Sequence, residues 1–331
     1  MEYRDLSRIV APGDDDGEDA PPRIRRFEFV RSTGRLDVRK LAAAALLTTS
    51  ILAVLLYAGG RAVRSAVAWL HRQPQYQLPF DGIELLTPPP ECFRGGVRAF
   101  LERVRRNADE AETIPVLDLD PSRIERAFKL FPWVQSVDSI DFPPRGLSIR
   151  LSYREPAAKI LLPGPEQFVL DRNGLILPLD DIDLERLGPT IRIEGGGIVP
   201  PSSDRFGKLW QTSSPEAPGR TAVDRKILQA AHLAGFFLEP GRSKAAESTP
   251  SLRILSINIT DPRGLFIQNA EDAMILWGQG PGDEQPGELS AEKKWEILEG
   301  QAGREPVRPG KPGDYWEFGR SELRFKRIRP G

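Results

Sequence analysis

The sequence predicts an α+β protein on a single N-terminal transmembrane helix, with a small β-α-α-β-β unit followed by a mixed β-sheet domain with flanking helices. Three observations predict it. Leu41 through Gly60 is a run of twenty residues without a charge. Two later segments repeat apolar residues at i, i+3, i+4, i+7, the spacing of helices with one buried face. Around and beyond them, short apolar runs alternate with Pro, Gly, Asn and Asp clusters, the pattern of strands and turns.

Residues 1–40 are expected to be a cytoplasmic tail without fixed structure. The first twenty carry two Arg against seven acids, with too little apolar surface to fold, and residues 21–40 carry seven Lys/Arg against two acids. The basic half suits a position near anionic headgroups. Residues 41–60 form the membrane span, about 30 Å at 1.5 Å per residue, which matches the hydrocarbon core of a bilayer. Thr48, Thr49 and Ser50 can return their hydroxyls to the helix backbone, and Tyr57 stands where an interfacial aromatic belongs. Arg26, Arg31, Arg35, Arg39 and Lys40 precede the span, and Arg61, Arg64 and Arg72 follow it. This excess predicts a cytoplasmic N-terminus with the bulk of the chain outside the membrane.

Residues 61–80 continue as a membrane-proximal helix and linker. Val63, Val67 and Leu70 share one face, and Pro74 and Pro79 break the pattern. The small unit occupies 81–155. Ile83–Leu86 is a strand. Val97, Phe100, Leu101 and Val104 mark one helix, and Ile114–Leu119 an extended connector. Asp120 and Pro121 read as N-cap and N1 of a second helix, which carries Ile124, Ala127, Phe128 and Phe131. Val134–Phe142 and Leu147–Tyr153 are strands around the turn Pro143-Pro144-Arg145-Gly146.

Residues 156–331 read as the β-rich domain. Strands are expected at Gln167–Leu170, Leu175–Leu177, Ile191–Ile193, Leu252–Ile259, Leu265–Gln268 and Ala273–Trp277. Helices are expected at Val223–Leu238 and Ser290–Glu299. Asn173-Gly174 offers positive φ for a tight hairpin. Loops are expected at 200–220, with Trp210 as a tethering aromatic, and at 239–251, 278–289 and 302–314. At the end, Trp316 and Phe318 precede a last strand over Ser321–Ile328. There Leu323 and Phe325 alternate with Glu322, Arg324 and Lys326, one buried face and one wet. A terminal strand makes a natural sheet edge able to accept a partner strand.

The composition leaves little for catalysis. Lys+Arg is 46 against 47 Asp+Glu, which argues against a strongly basic nucleic-acid binder. One Cys, Cys92, excludes an internal disulfide, and two His, His71 and His232, leave no His-rich metal centre. No phosphate loop, dinucleotide fingerprint, metalloprotease or nucleophile-elbow motif occurs. Asp180, Asp181 and Asp183 read as solvated loop acids, and Arg98, Arg103, Arg105 and Arg106 as a wet helix face. No catalytic residue, cofactor, metal, small-molecule substrate or nucleic-acid partner is expected.

Strand, helix, helix and strand pair, with Phe131-Pro132-Trp133-Val134 at the second helix-to-strand crossing, resemble a POTRA domain. Pro144 through Leu151, then Arg154-Glu155-Pro156-Ala157, then Asp171-Arg172-Asn173-Gly174 follow in the order seen in the FtsQ/DivIB family of bacterial cell division proteins. Pro132, Trp133, Val134, Glu155, Pro156, Asp171 and Gly174 carry the resemblance as structural positions. It implies a non-enzymatic, single-pass scaffold of the divisome. The scaffold would lie in the inner membrane at the division site and bind FtsB- and FtsL-like coiled-coil partners during septum formation. It also implies that Trp316, Phe318, Leu323, Arg324 and Phe325 shape the partner-binding edge. The Pro/Gly-rich segments 200–220 and 239–251 depart from the family. The alternative is a POTRA-containing envelope assembly or export adaptor outside division.

Overall fold

The computed structural model describes residues 38–71, 73–143, 146–162, 166–201, 206–213 and 221–327. Most of the expected tail, Arg72, the Pro144-Arg145 half of the expected turn, two stretches of the 200–220 loop and Ile328 lie outside the described residues. The chain divides into two compact units, 1–65 and 66–331.

Helix α1 runs unbroken over Val38–His71. Its most apolar 18-residue window reaches a mean hydropathy of 2.2, and it is long and apolar enough to cross a membrane. The Thr48 hydroxyl donates to the Ala44 and Ala45 carbonyls (3.0 and 2.9 Å), and Thr49 donates to Ala45 (2.7 Å). These bonds hide both hydroxyls against the backbone. Expected span and membrane-proximal helix are one element, because nothing before Pro74 removes a backbone N–H.

In the second unit, chain order is β1 (Gln77–Pro79), β2 (Glu84–Leu85), α2 (Gly96–Asn107), β3 (Thr113–Pro115), α3 (Pro121–Lys129), β4 (Val134–Asp141) and β5 (Ser148–Tyr153). β1 pairs with β3, so the expected 114–119 connector is a three-residue strand followed by a short turn. β2, β5 and β4 form a three-stranded sheet in that order, with β2 parallel and β4 antiparallel to β5. The Asp120 carboxylate accepts the Ser122 N–H (2.9 Å) and caps α3, with Pro121 at N1. Phe100, Leu101 and Val104 of α2 and Ile124 and Phe128 of α3 are buried over this sheet. Phe93 packs edge-on to Phe100, Phe131 and Trp133, with ring centroids 5.3, 6.2 and 5.5 Å away. Each such pair adds roughly 0.5–1.5 kcal/mol beyond its buried area.

Then follow β6 (Pro156–Leu161), β7 (Gln167–Asp171), β8 (Ile176–Leu177), β9 (Ile191–Glu194), β10 (Gln211–Ser213), β11 (Thr221–Val223), α4 (Arg225–Phe237), α5 (Pro240–Ser248), β12 (Ile254–Asn258), β13 (Leu265–Asn269), β14 (Met274–Gly278), α6 (Ala291–Ala302), β15 (Tyr315–Phe318) and β16 (Leu323–Lys326). Nine of these strands make one mixed sheet in the order β16-β15-β14-β13-β12-β9-β6-β7-β8. One row of facing residues crosses it: Phe168, Ile160, Ile193, Ile257, Ile267, Ile275, Trp316 and Phe325. Five isoleucines in register are fully covered, and the row ends in an aromatic pair at the β16 edge. α4 and α6 contribute Ile227, Ala231, Ala234, Trp295 and Leu298 to the same core.

Several expectations change. β10 lies inside the expected 200–220 loop, and Tyr315–Phe318 is itself a strand, β15, ahead of the expected last one. β6 was not among the expected strands, since its Pro-Ala-Ala start lacks β-branched residues. Segment 239–251 is not all loop: Pro240 at N1 starts α5, which buries none of its residues and so leaves no periodic signal. Trp210 is core, 1% exposed, edge-on to Phe168 at 5.0 Å, with its indole N–H donated to the Val199 carbonyl (3.1 Å). Asp181 is buried and ion-paired with Arg103 (2.7 Å). Burial pushes its carboxyl above the usual range, with Arg103 opposing.

Candidate interaction surface

The expected residues gather in two places. The motif residues join the two cores. Trp133 is fully buried and Val134 nearly so, both in the smaller core, while Val169 and Leu177 of the large sheet belong to that same core. The Trp133 carbonyl accepts the Arg154 N–H (2.9 Å), and the Arg154 guanidinium reaches the buried Asp171 (3.0 Å). Asp171 also accepts the N–H groups of Asn173 (2.9 Å) and Leu175 (2.8 Å), which holds the β7–β8 turn. Glu155 pairs with Arg172. Pro156 opens β6 opposite Asp171, and the Pro132 ring lies against Gly207.

The turn differs from expectation in one detail. Gly174 takes φ +78°, whereas Asn173 is not among the described residues with positive φ. A Cβ on Gly174 would also stand 2.7 Å from Leu228 Cδ1. Gly174→Ala is therefore expected to cost about 1–3 kcal/mol of stability. Thermal unfolding of the full chain in detergent checks this, with Gly188→Ala, where a Cβ meets open space, as the near-neutral comparison.

The second place is the β15–β16 hairpin. Its register is regular: Tyr315 faces Lys326, Trp316 Phe325, Glu317 Arg324, and Phe318 Leu323. The Gly319 N–H donates to the Glu322 carbonyl (2.8 Å) and closes the turn. By antiparallel alternation, Arg324 and Lys326 then bond to β15, and the N–H and C=O groups of Leu323 and Phe325 point off the sheet. Leu323 is 6% exposed and sits in the larger core. Trp316 meets Phe325 edge-on (5.1 Å) and donates its indole N–H to the Arg308 carbonyl (2.9 Å). Phe318 meets Trp277 edge-on at 5.4 Å. Arg324 is exposed beside Glu322 (2.9 Å). The five expected partner residues thus share one hairpin, apolar toward the helices and charged on the other face.

Sequence reasoning missed what braces this hairpin. Arg263 donates to the Tyr315 hydroxyl (2.8 Å) and forks onto Asp261 (2.9 and 3.0 Å). The Arg263 fork holds Asp261 below the usual carboxylate range. A cleft of about 370 Å³ opens beside the turn, lined by Trp277, Gly278, Lys294, Phe318, Arg320 and Arg324. Lys294, 2% exposed, is ion-paired with Glu288 (2.6 Å), which also accepts the Gln279 and Gln285 N–H groups (2.8 and 2.9 Å). Burial lowers the Lys294 pKa, with Glu288 opposing. No periodicity could reveal such a pair, because a lysine inside a helix reads as surface.

The sheet edges differ. At the β8 end, Ile176 exchanges backbone bonds with Lys208 (2.9 Å) and Gly207 (2.8 Å), so segment 206–209 covers that edge. In the three-stranded sheet, β4 pairs only with β5, but its register shifts twice, between Val134 and Ser136 and between Val137 and Ser139. It also carries Asp138, tied to the Ser136 and Ser152 hydroxyls (2.7 Å each). Such bulges and acids blunt an edge. β16 ends the nine-stranded sheet with β15 as its one strand partner among the described residues, and its register with β15 has no shift.

Among the described residues, no three His, Cys, Asp or Glu side chains group to hold a metal ion. No protein-family model matches the chain, and a search of curated proteins finds no match.

Proposed function

We propose that the chain is a non-enzymatic, single-pass scaffold of the bacterial divisome, similar to the FtsQ/DivIB family. α1 is its membrane anchor, the N-terminus is cytoplasmic, and the 66–331 unit is extracytoplasmic. The observation that carries this reading is the regular, unpaired β16 edge. It ends a large sheet joined through a Trp133-Arg154-Asp171 junction to a β-α-α-β-β unit with the strand order β2-β5-β4. An extended segment of an FtsB- or FtsL-like partner adds to that edge, using the outward backbone groups of Leu323 and Phe325 for affinity and the adjoining cleft for side-chain selection. The polar, Cys- and His-poor composition suits a binding protein.

The test is localisation with depletion. A fluorescent fusion is expected to gather at the constriction site, and depletion is expected to yield filamentous or unsplit cells. A chain lacking 321–331 is expected to keep its membrane level but fail to restore division. Even distribution around the envelope with normal division overturns the reading in favour of an adaptor outside division.

A further inference from the structure

We propose that the strand accepted at the β16 edge alternates apolar residues with acids. The acids face Arg324 and Lys326, and the apolar residues continue the row that ends at Phe325. The proposal rests on the strand-addition reading of that edge and names the chemistry of the partner.

The register with β15 sorts the two faces of β16. Leu323 and Phe325 share the helix-covered face with Phe318 and Trp316, whereas Arg324 and Lys326 share the open face with Glu317 and Tyr315. On the covered face the row Ile257, Ile267, Ile275, Trp316, Phe325 runs out to the edge. Phe325 is half-buried, with Trp316 edge-on at 5.1 Å on its inner flank. An apolar side chain on the next strand lengthens the row by one place and covers the outer flank of Phe325.

The open face carries the selectivity. The side chains of Arg324 and Lys326 keep 61% and 51% of their surface exposed. Each already has an acid, but from within the hairpin. Glu322 lies two residues back along the chain, 2.9 Å from Arg324, and Glu317 lies on β15, 3.4 Å from Lys326. Neither acid stands on the side that a further strand takes. The N–H and C=O groups of Leu323 and Phe325 point outward in this register. Arg324 therefore falls at a non-hydrogen-bonded position of an added antiparallel strand, where facing Cα atoms come within about 4.5 Å and side chains meet most closely. An acid there is attracted, and Lys or Arg is repelled. Lys326 repeats the same requirement on the same face. The alternation reads alike in either strand direction.

The same charges work against a second copy of this chain as the occupant. Two β16 edges paired about a two-fold axis set Arg324 against Arg324 when the axis passes through residue 324. They set Arg324 against Lys326 when it passes through residue 325. An axis at residue 323 would offer Glu322 to Arg324, but it needs residue 321 extended opposite residue 325. The bond from the Gly319 N–H to the Glu322 carbonyl (2.8 Å) holds 319–322 in a turn instead.

The experiment uses the full chain in detergent and two short peptides carrying an uncharged dye, one alternating Val with Glu and one alternating Val with Lys. Binding is read as fluorescence anisotropy at low salt. The Val/Glu peptide is expected to bind roughly tenfold or more tighter than the Val/Lys peptide, and the gap is expected to narrow as salt screens the pairs. Phe325→Pro is expected to weaken Val/Glu binding. Arg324→Gln with Lys326→Gln is expected to erase the preference without placing like charges inside the hairpin. Arg324→Glu and Lys326→Glu, combined with Glu317→Lys to keep the hairpin balanced, are expected to invert it. Equal binding of both peptides, each weakened by Phe325→Pro, overturns the proposal and leaves strand addition at β16 standing. Val/Glu binding that survives Phe325→Pro is a contact with charged surface elsewhere and also overturns it. No binding of either peptide overturns strand addition together with the proposal. A concentration-dependent dimer in sedimentation that Phe325→Pro abolishes makes a second copy the occupant, which overturns the proposal as well.

Discussion

Trp133→Ala is expected to lower the stability of the 66–331 unit by about 3–5 kcal/mol, the range for removing a large aromatic from a packed core. Trp133 has no exposed surface and meets Phe93 edge-on at 5.5 Å. Its backbone carbonyl receives Arg154, whose guanidinium holds Asp171, so the cavity opens where the two cores join. Relaxation of the cavity would also loosen the Asp171 turn. Chemical denaturation of the full chain in detergent measures the effect as a midpoint shift. Trp133→Phe keeps an edge-on ring against Phe93 and is expected to recover part of the loss. Trp69→Ala, at a 62% exposed position, is expected to leave the midpoint unchanged. Equal effects from Trp133 and Trp69 would contradict the structural role assigned to Trp133.

Much of this architecture is legible in the sequence where local rules and burial agree. Asp120-Pro121 caps α3, Ser290 caps α6 (Lys293 N–H to Ser290 Oγ, 3.3 Å), and Asp224 caps α4 one residue inside the expected start. The apolar positions expected for α2, α3 and α4 are the ones that face the cores, apart from Val97, which is 40% exposed; Leu238, at the α4 C-cap, is half-buried against the larger core. What escapes is set by long-range contacts. α5 meets the core only through the half-buried Ala245 and Ala246, so no apolar period marks it. β6 does alternate, with Ala158 and Ile160 buried and Lys159 and Leu161 turned outward, but the run is short and its Pro-Ala-Ala start hides it. Trp210 lies in a Pro/Gly-rich stretch whose composition reads as loop, yet its ring closes the core against Phe168, 42 positions away in sequence. Asp181 and Lys294 are buried charges whose partners, Arg103 and Glu288, come from other elements.

The candidate site divides the same way. The alternation of Leu323 and Phe325 with Arg324 and Lys326 is a local pattern, and it marks the strand and its two faces. Whether such a strand stands at an open edge depends on neighbours far away in sequence. The β8 edge is covered by 206–209, and β4 carries two register shifts that its Ser/Asp-rich sequence does not announce. The brace from Arg263 to Tyr315 spans 52 residues and has no signature beyond an Asp-Pro-Arg-Gly turn.

Phe325→Pro is expected to weaken partner-strand binding roughly tenfold or more relative to Phe325→Ala, because the two variants differ in the outward backbone donor as well as in the ring. Both lose the edge-on contact of Phe325 with Trp316, so that loss cancels in the comparison. Proline also removes the N–H at 325, which points away from β15 in the observed register. The hairpin ladder is made by residues 324 and 326, so Phe325→Pro keeps it, as proline on an edge strand can. Arg324→Pro is the opposite case. It removes a donor facing Glu317, and its expected outcome is a lost hairpin with a lowered unfolding midpoint. Binding to the FtsB- or FtsL-like partner by a surface-immobilised full chain, beside a denaturation midpoint for each variant, separates the two effects. If Phe325→Pro binds as well as Phe325→Ala, the partner does not add as a strand to β16. The surface would then have to act through the side chains of the cleft alone, with Arg320 and Arg324 at its rim and Lys294 beneath.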